Sequence, residues 1–309
     1  MGTFLVSLQT VLPLFLVILI GVLFSKTKVS SASWIEVLNK YVLWIGFPAL
    51  VIGSLLSLES SGQEFIKLII HNSVYTISCM LLAFPIAKIF RLSGSMLRSL
   101  FIILPFGNFA YLGIPVLQSA FGDEMLPAAA ILSAVYLFWL LTLGIVLVEA
   151  LGDDKIHTKK LVINLLQNPL LISVFVGLAI VFLKIDLPIV IEKTIHLFSD
   201  SVTSVVLFSL GMFMGTQNIG GLKEWIQTLG LVVVTMLILP LCFFLYLQTT
   251  TLDSTLINAS VLDSAMPLGL TPYILIYQYK LKAGLAARII VLGTFLSIFI
   301  LPLWMVILG

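Results

Sequence analysis

The chain has 309 residues, of which 60% are hydrophobic and 10% charged, and its formal net charge is +2. Its mean hydropathy is +1.19. Soluble globular domains carry about 25% charged residues, so this composition excludes a soluble domain. It predicts an integral membrane protein built from several apolar helices.

Charge-free apolar runs, separated by charged or turn-rich joints, predict ten membrane spans. Each run has about the 20–25 residues that a helix needs to cross a bilayer. In chain order, the predicted spans are residues 4–25, 36–57, 66–88, 99–120, 125–149, 161–183, 190–215, 225–248, 255–278 and 286–308.

The lysines and arginines are unevenly distributed around these spans. Thirteen of the 16 lie at the joints that follow odd-numbered spans, or close beside them. Because positively charged joints tend to stay in the cytoplasm, we predict that both termini lie outside. The expected location is the bacterial inner membrane.

The prolines indicate an internal repeat. Three pairs are separated by 155 to 157 residues, about half the chain: Pro13 and Pro169, Pro85 and Pro240, Pro115 and Pro272. We predict two five-helix repeats, 1–150 and 161–309, joined by a charged cytoplasmic linker at 151–160. Since five is odd, the second repeat would enter the membrane from the opposite side, as in many secondary transporters.

Two of the predicted spans contain helix-breaking residues. The fourth includes "LPFGNFAYLGIPVLQ" at 104–118, and the ninth includes "DSAMPLGLTPYILIYQY" at 263–279. A proline inside a helix costs about 3 kcal/mol, and unwound backbone in a membrane is tolerated only against protein or a water-filled cavity. Breaks at matching positions in the two halves therefore predict a polar site near the bilayer midplane.

Such breaks expose backbone amides at the start of a half-helix, where the partial positive charge favours anions. Asn108 adds a donor and an acceptor at the first break. The alternative is a packing kink in which Asn108 bonds to a neighbouring helix. The candidate substrate-binding residues are Gly107, Asn108, Tyr111, Gly113, Pro115, Pro267, Gly269, Pro272, Tyr273 and Gln278.

Asp263 is the candidate ion-coupling residue, because it is the only acid between Ser254 and Tyr279. Ionisable groups at membrane depth are costly and usually functional. Its carboxyl group could take up and release a proton, or could hold Na⁺ together with carbonyls of the broken helix. The alternative is a helix N-cap close to the outer interface.

Both broken segments resemble a known family. "LPFGNFAYLGIPVLQSAFG" and "SAMPLGLTPYILIYQY" resemble the fourth and ninth helices of the auxin efflux carrier family, which includes plant PIN carriers and bacterial malate or malonate permeases. "NPLLISVFVGL" at 168–178 and "FSDSVTSVVLFSLGMFMG" at 198–215 resemble the sixth and seventh helices. The family is related in fold to the sodium–bile acid symporters.

The resemblance implies an all-α fold of ten helices in two inverted repeats, with helices four and nine crossing near Pro115 and Pro272. It implies a scaffold of helices 1, 2, 6 and 7, and a transport unit of helices 3–5 and 8–10 that moves against it. It also implies a homodimer and a substrate-contacting role for Asn108. The long central loop of the plant carriers is absent, as in the bacterial members.

The expected function is secondary transport of a small organic anion, either an auxin-like monocarboxylate or a malate-like dicarboxylate. The alternatives are a sodium-coupled symporter of bulkier anions and a membrane sensor that binds without transporting. The sequence has no phosphate-binding loop of the ATPase type. We expect no enzymatic activity, no nucleic-acid partner, no metal site and no cofactor beyond H⁺ or Na⁺ coupling.

Overall fold

A computed structural model of the chain describes residues 2–56, 62–152, 158–217 and 222–309. The α-helices within these ranges are α1 Gly2–Phe24, α2 Ala32–Tyr41, α3 Phe47–Leu56, α4 Gly62–Ile89, α5 Gly94–Ile103, α6 Ile114–Phe121, α7 Leu126–Trp139, α8 Ile145–Ala150, α9 Thr158–Leu166, α10 Pro169–Phe182, α11 Ile189–Thr216, α12 Leu222–Val233, α13 Leu239–Leu247, α14 Ser254–Ser264, α15 Leu270–Gln278 and α16 Ala283–Leu308.

Short π-helical turns connect several of these helices, at Val42–Gly46, Leu140–Gly144 and Val234–Ile238, and another, Phe109–Gly113, leads into α6. Seven continuous helical segments among the described residues are long and apolar enough to cross a membrane: Phe4–Phe24, Ser33–Leu56, Gln63–Ile89, Asp123–Ala150, Ile189–Thr216, Glu224–Leu247 and Ala283–Leu308. They coincide with predicted spans one, two, three, five, seven, eight and ten. These segments indicate an all-α integral membrane protein.

Pairs of shorter helices occupy the ranges of the other three predicted spans. The chain leaves the helical conformation at 104–108, between α5 and the turn Phe109–Gly113, and again at 265–269, between α14 and α15. The two interruptions contact each other, because Gly107 pairs with Leu268 as an isolated antiparallel bridge. The Asn108 backbone amide also donates to the Pro267 carbonyl at 2.6 Å.

A third interruption was not predicted. The expected single helix over 161–183 is divided at Asn168 into α9 and α10. The Asn168 side chain accepts hydrogen bonds from the Leu170 and Leu171 amides at 3.1 and 3.2 Å, and Pro169 occupies the first helical position. An asparagine cap followed by proline is a strong helix-start signal, so the prediction of one continuous helix is wrong here.

The described helices form one packed bundle, in which the two interruptions meet at a point that we call the crossing. Helix α1 lies along α11, and α3 contacts both α10 and α11. Helix α4 contacts α5 and α7, and α12 contacts α16. Contacts of α3 and α10 with α7, and of α1 with α6 and α16, link these helices to one another.

Candidate functional site

A cavity of about 410 Å³ lies beside the contact between the two interrupted helices. One wall is formed by Phe106 to Tyr111, which belong to the first interruption and to the turn after it, and Gly269 to Pro272 form another. The remaining lining residues are Glu36, Asn39, Lys40, Leu43, Phe47, Ser133, Tyr136, Leu137, Leu140, Asn168, Leu170 and Ile274. The cavity thus has the size of a small-molecule site.

Asn108 provides an uncommitted hydrogen-bond donor in this cavity. Only 3% of the residue is exposed, and its side-chain Nδ2 has no hydrogen-bond partner among the described residues. A buried polar group without a partner is unusual and needs an explanation. The alternative in which this amide nitrogen bonds to a neighbouring helix does not apply to the present geometry. The side-chain amide therefore has uncommitted donor hydrogens on a residue that lines the cavity.

Two half-helices begin at the same cavity. The turn Phe109–Gly113, continued by α6, starts directly after Asn108, and α15 starts directly after Gly269. The first amides of a helix have no partner within it and carry part of the positive end of the helix dipole. Since Phe109, Ala110, Leu270 and Thr271 line the cavity, both positive ends face the same space. This arrangement favours a negatively charged ligand.

Glycine is required where the two interrupted segments touch. A Cβ on Gly269 would lie 2.9 Å from the Gly107 carbonyl oxygen and 3.1 Å from the Asn108 Cα. A Cβ on Gly107 would lie 2.8 Å from the Met266 carbonyl oxygen. These obstacles are backbone atoms, which cannot rotate away, so a larger residue would push the crossing apart.

A buried hydrogen-bond network packs against the crossing. The Tyr136 ring stacks on Phe109 with 3.7 Å between ring centroids, and the Tyr136 hydroxyl donates to the Asn72 Oδ1 at 2.9 Å. Asn72 in turn donates to the Ser260 hydroxyl at 3.0 Å. Because these residues belong to α4, α7 and α14, the network fixes the position of Phe109, the neighbour of Asn108.

The mouth of the cavity carries a pair of opposite charges. Lys40 Nζ lies 2.6 Å from Glu36 Oε1, and both side chains are about two-thirds exposed. Deeper in, the Asn39 Oδ1 accepts a hydrogen bond from the Ser209 hydroxyl at 2.8 Å. Lys40 is the cationic side chain of the cavity lining. Its position identifies this end as the solvent-facing mouth.

Lys40→Gln is expected to raise the KM for an anionic substrate about two- to fivefold, because exposed charges contribute about 0.2–1 kcal/mol. Glu36→Gln should lower this KM by a similar factor, since the change removes a carboxylate that competes with the substrate for Lys40. Both effects should shrink at high salt. Uptake into liposomes at two ionic strengths measures them. Lys28→Gln, an exposed lysine outside the cavity, is the control, and an equal change there would contradict the assignment.

Asp263 lies at the end of α14 next to the crossing and is fully buried. It is therefore not the N-cap of this helix. That role belongs to Asp253, whose Oδ1 accepts from the Thr255 and Leu256 amides at 2.8 and 3.3 Å. Neither carboxyl oxygen of Asp263 has a hydrogen-bond partner among the described residues. Asp263 is also absent from the cavity lining.

The cavity brings together five of the ten predicted substrate-binding residues: Gly107, Asn108, Tyr111, Gly269 and Pro272. Gly113, Pro115 and Pro267 are buried in or beside the crossing but do not line the cavity. Their placement supports a role in shaping the crossing rather than in contacting a ligand.

Tyr273 and Gln278 also lie outside the cavity lining. Tyr273 packs edge-on against Phe213, with 5.1 Å between ring centroids. Gln278 is exposed at the far end of α15. A rise of 1.5 Å per residue puts it about 12 Å along the axis from Leu270, so this geometry gives no support to the predicted substrate contact of Gln278.

Several lining residues were missed from the sequence. Asn168 carries a usable signal, since the dipeptide Asn-Pro is typical of a helix start although it lies inside the predicted sixth span. Lys40 enters the sequence prediction only through the charge balance of the joints. Tyr136 and Ser133 carry no local signal, because only the packing of α7 against the crossing turns them toward the cavity.

A second cavity of about 650 Å³ lies at the opposite end of the same helices. Residues 36–47 of the α2–α3 region line the first cavity, and residues 50–56 of α3 line the second. It is more polar, and its lining residues are Leu50, Gly53, Ser54, Leu56, Gln118, Asp123, Leu126, Glu192, His196, Ser199, Asp200 and Thr203. The two cavities thus lie on opposite sides of the crossing, one at each end of the α2–α3 region.

A family profile described as "Membrane transport protein" matches the chain in two stretches, residues 6–158 and 154–305. These stretches include both interrupted helices and all of the lining residues of the cavity. The chain belongs to the membrane transport protein family. Membership confirms the predicted resemblance to the auxin efflux carriers.

Proteins similar to the chain include examples from archaea and plants. An uncharacterized transporter of Methanocaldococcus jannaschii is 24% identical and is matched over 97% of this chain and 98% of its own length. One from Methanothermobacter thermautotrophicus is 25% identical over 99% of both chains. Auxin efflux carrier component 8 of Arabidopsis thaliana is 29% identical over 50% of this chain and 43% of the plant protein.

Proposed function

We propose that this membrane transport protein is a secondary transporter of organic monocarboxylates that binds the carboxylate at the crossing of its two interrupted helices. The observation that carries the proposal is the unpartnered Asn108 amide in a cavity where two helix N-termini converge. An amide donor and converging helix dipoles suit a carboxylate group. Family membership supports transport, rather than catalysis, as the role of this site.

The cavity lining favours a substrate with one carboxylate and an apolar body. Apart from Asn108 and the helix amides, most of the surface comes from aromatic and aliphatic side chains such as Phe47, Phe106 and Leu137. A second carboxylate would be desolvated against these groups, since the cationic residue Lys40 stands at the mouth. Burying an unpaired charge is costly, so dicarboxylates should bind less well.

The proposed transport mechanism is alternating access of the elevator type. Helices 1, 2, 6 and 7 of the ten predicted spans, represented by α1–α3 and α9–α11, would form the scaffold. The other six spans would form the moving unit, carrying the crossing past it. Two cavities at opposite ends of the α2–α3 region support this proposal, as does the meeting of the two interruptions in an antiparallel pair.

The membrane orientation remains part of the proposal. With both termini outside, the cavity that contains Asn108 would open to the cytoplasm through the Glu36 and Lys40 end. Labelling of single cysteines introduced at Lys28 and Lys184 with a membrane-impermeant reagent tests this orientation. The expected homodimer can be checked by native mass spectrometry of the purified protein.

Counterflow into liposomes tests the proposed function with a matched series of ligands. Hexanoate, its uncharged isostere hexanamide and the dicarboxylate adipate share the same carbon-chain length. Unlabelled hexanoate should drive accumulation of labelled hexanoate, whereas hexanamide and adipate should compete weakly. Protein-free liposomes are the control. Equal competition by hexanamide would contradict a carboxylate site, and preferred competition by adipate would contradict the monocarboxylate assignment.

Two other outcomes would favour the alternative functions. Counterflow that requires Na⁺, together with a preference for bulkier anions, would indicate a sodium-coupled symporter. Thermal stabilisation of the purified protein by hexanoate without any counterflow would indicate a sensor that shares the same site.

A further inference from the structure

Asp263 stands out as a buried acid with no counter-charge. It is fully buried, and neither carboxyl oxygen has a hydrogen-bond partner among the described residues. Ionised carboxylates inside proteins are almost always paired or bound to a cation. The side chain therefore carries a proton in this conformation, or it binds a metal cation.

The packing around Asp263 favours a proton over a metal cation. A Cβ on Gly113 would overlap the Asp263 Oδ1, so the carboxyl group lies directly against the backbone of the turn Phe109–Gly113. The Ser260 hydroxyl oxygen already accepts from Asn72, and Ser264 directs its hydroxyl hydrogen to the Val261 carbonyl. A sodium ion needs several free oxygen ligands and room for them, whereas a proton needs neither.

The helices around Asp263 bring no ionised group to it. The titratable side chains that face this part of α14 are the phenols of Tyr136 and Tyr75 and the thiol of Cys79, all neutral near pH 7. The turn Phe109–Gly113 adds the phenol of Tyr111, α13 carries Tyr246 and the exposed Cys242, and α6 has no titratable side chain. On α4, His71 bonds instead to the Tyr246 hydroxyl at 2.9 Å, and Lys67 pairs with Glu64. On α16, Arg288 pairs with Glu224 of α12.

Gly113 lies between Asp263 and the proposed anion site at Asn108. The position that a Cβ on Gly113 would occupy lies 3.5 Å from the Asp263 Cγ and 3.5 Å from the Asn108 carbonyl oxygen. A negative charge on Asp263 would therefore stand close to the Asn108 backbone, on the residue whose side chain is proposed to receive the substrate. Like charges in a low-dielectric interior repel strongly, so an anion at Asn108 and an ionised Asp263 disfavour each other.

We propose that Asp263 is a proton-binding site linked to the anion site, so that the transporter binds its carboxylate together with one proton. The inference rests on the proposed function for its substrate. By linkage, the proton raises affinity for the anion and the anion raises affinity for the proton. The site thereby supplies proton coupling to the transport cycle.

Anion affinity as a function of pH tests the linkage. Hexanoate binding to the purified protein, measured by calorimetry from pH 5.5 upward, should weaken once the pH is high enough for ligand-free Asp263 to lose its proton, by up to about tenfold per pH unit, the slope for one linked proton. Asp263→Asn, a neutral isostere of the protonated acid, should bind hexanoate with little pH dependence. Asp253→Asn, the same change at the exposed cap of the same helix, should keep the wild-type dependence.

The ligand-free protein provides a test that does not depend on hexanoate. Because the folded crossing holds a proton that the unfolded chain releases, wild-type thermal stability should fall relative to Asp263→Asn as the pH rises. Parallel stability profiles for the two proteins would overturn the proposal. If they diverge while hexanoate fails to bind at any pH, the proton site is supported and the proposed substrate is wrong.

Sodium dependence separates the proton from the competing cation. Hexanoate affinity at fixed pH should be the same in sodium chloride and in choline chloride of equal ionic strength. An affinity that rises with Na⁺ in the wild type, loses that rise in Asp263→Asn and does not vary with pH would overturn the proposal in favour of a sodium site.

Discussion

Asn108→Ala is expected to weaken hexanoate binding by about 10- to 100-fold, because a hydrogen bond to a charged group contributes about 1.5–3 kcal/mol. Asn108→Asp should abolish detectable binding, since it places a carboxylate where the substrate carboxylate would lie. The Asn108 Nδ2 has no partner in the described structure, so removing it should leave the stability of the ligand-free protein nearly unchanged. Calorimetry and liposome counterflow measure both variants.

The control for these variants is Asn258→Ala. Asn258 lies on α14, ahead of the crossing, and donates to the Leu308 carbonyl at 3.0 Å. Its loss removes a side-chain amide without touching the cavity, so hexanoate affinity should stay at the wild-type value. Wild-type affinity in Asn108→Ala would remove Asn108 from the site, and an equal loss in both variants would indicate a general folding defect.

Gly269→Ala is expected to reduce transport at least about tenfold and to destabilise the protein by about 1–3 kcal/mol, the usual cost of overpacking a tight contact. The new methyl group would meet the Gly107 carbonyl oxygen and the Asn108 Cα within 3.1 Å. The two segments must separate to admit it, which moves both helix N-termini away from their shared cavity. Thermal unfolding in detergent and counterflow measure the two effects.

Gly230→Ala makes the same chemical change where space is open. No heavy atom lies within 4 Å of a Cβ at Gly230 in α12, and alanine favours a helix over glycine by about 1 kcal/mol. Transport should be unchanged and stability equal or higher. Wild-type transport by Gly269→Ala would show that function does not require the close contact between the interrupted helices.

Much of the helical framework could be predicted from the sequence, because membrane helices are selected by local composition. Seven predicted spans coincide with continuous apolar helices, since a long charge-free run has no other stable conformation in lipid. The interruptions at 104–108 and 265–269 could also be predicted, because Pro105 and Pro267 each remove a helical hydrogen bond from the backbone next to them. Hydropathy does not predict the break at Asn168, because the apolar run continues across it, whereas the Asn-Pro cap marks it.

The candidate site was predictable only where its residues belong to the interruptions. Asn108, Gly107 and Gly269 could be identified because they lie in the broken segments. Tyr273 and Gln278 are predicted site residues only because they follow the second break closely in sequence. Helical geometry carries Gln278 away from the cavity. Lys40 and Tyr136 could not be predicted as site residues, because they reach the cavity from helices distant in sequence.

By itself, the sequence determined that this protein is a bundle of membrane helices with two breaks, because hydropathy and proline act locally. Only the tertiary structure decided that the breaks touch at Gly107 and Leu268, that the Asn108 amide remains unpartnered, and that Asp263 is buried rather than capping a helix. Those properties depend on which helix faces pack together, and no short stretch of chain specifies contacts between segments some 160 residues apart.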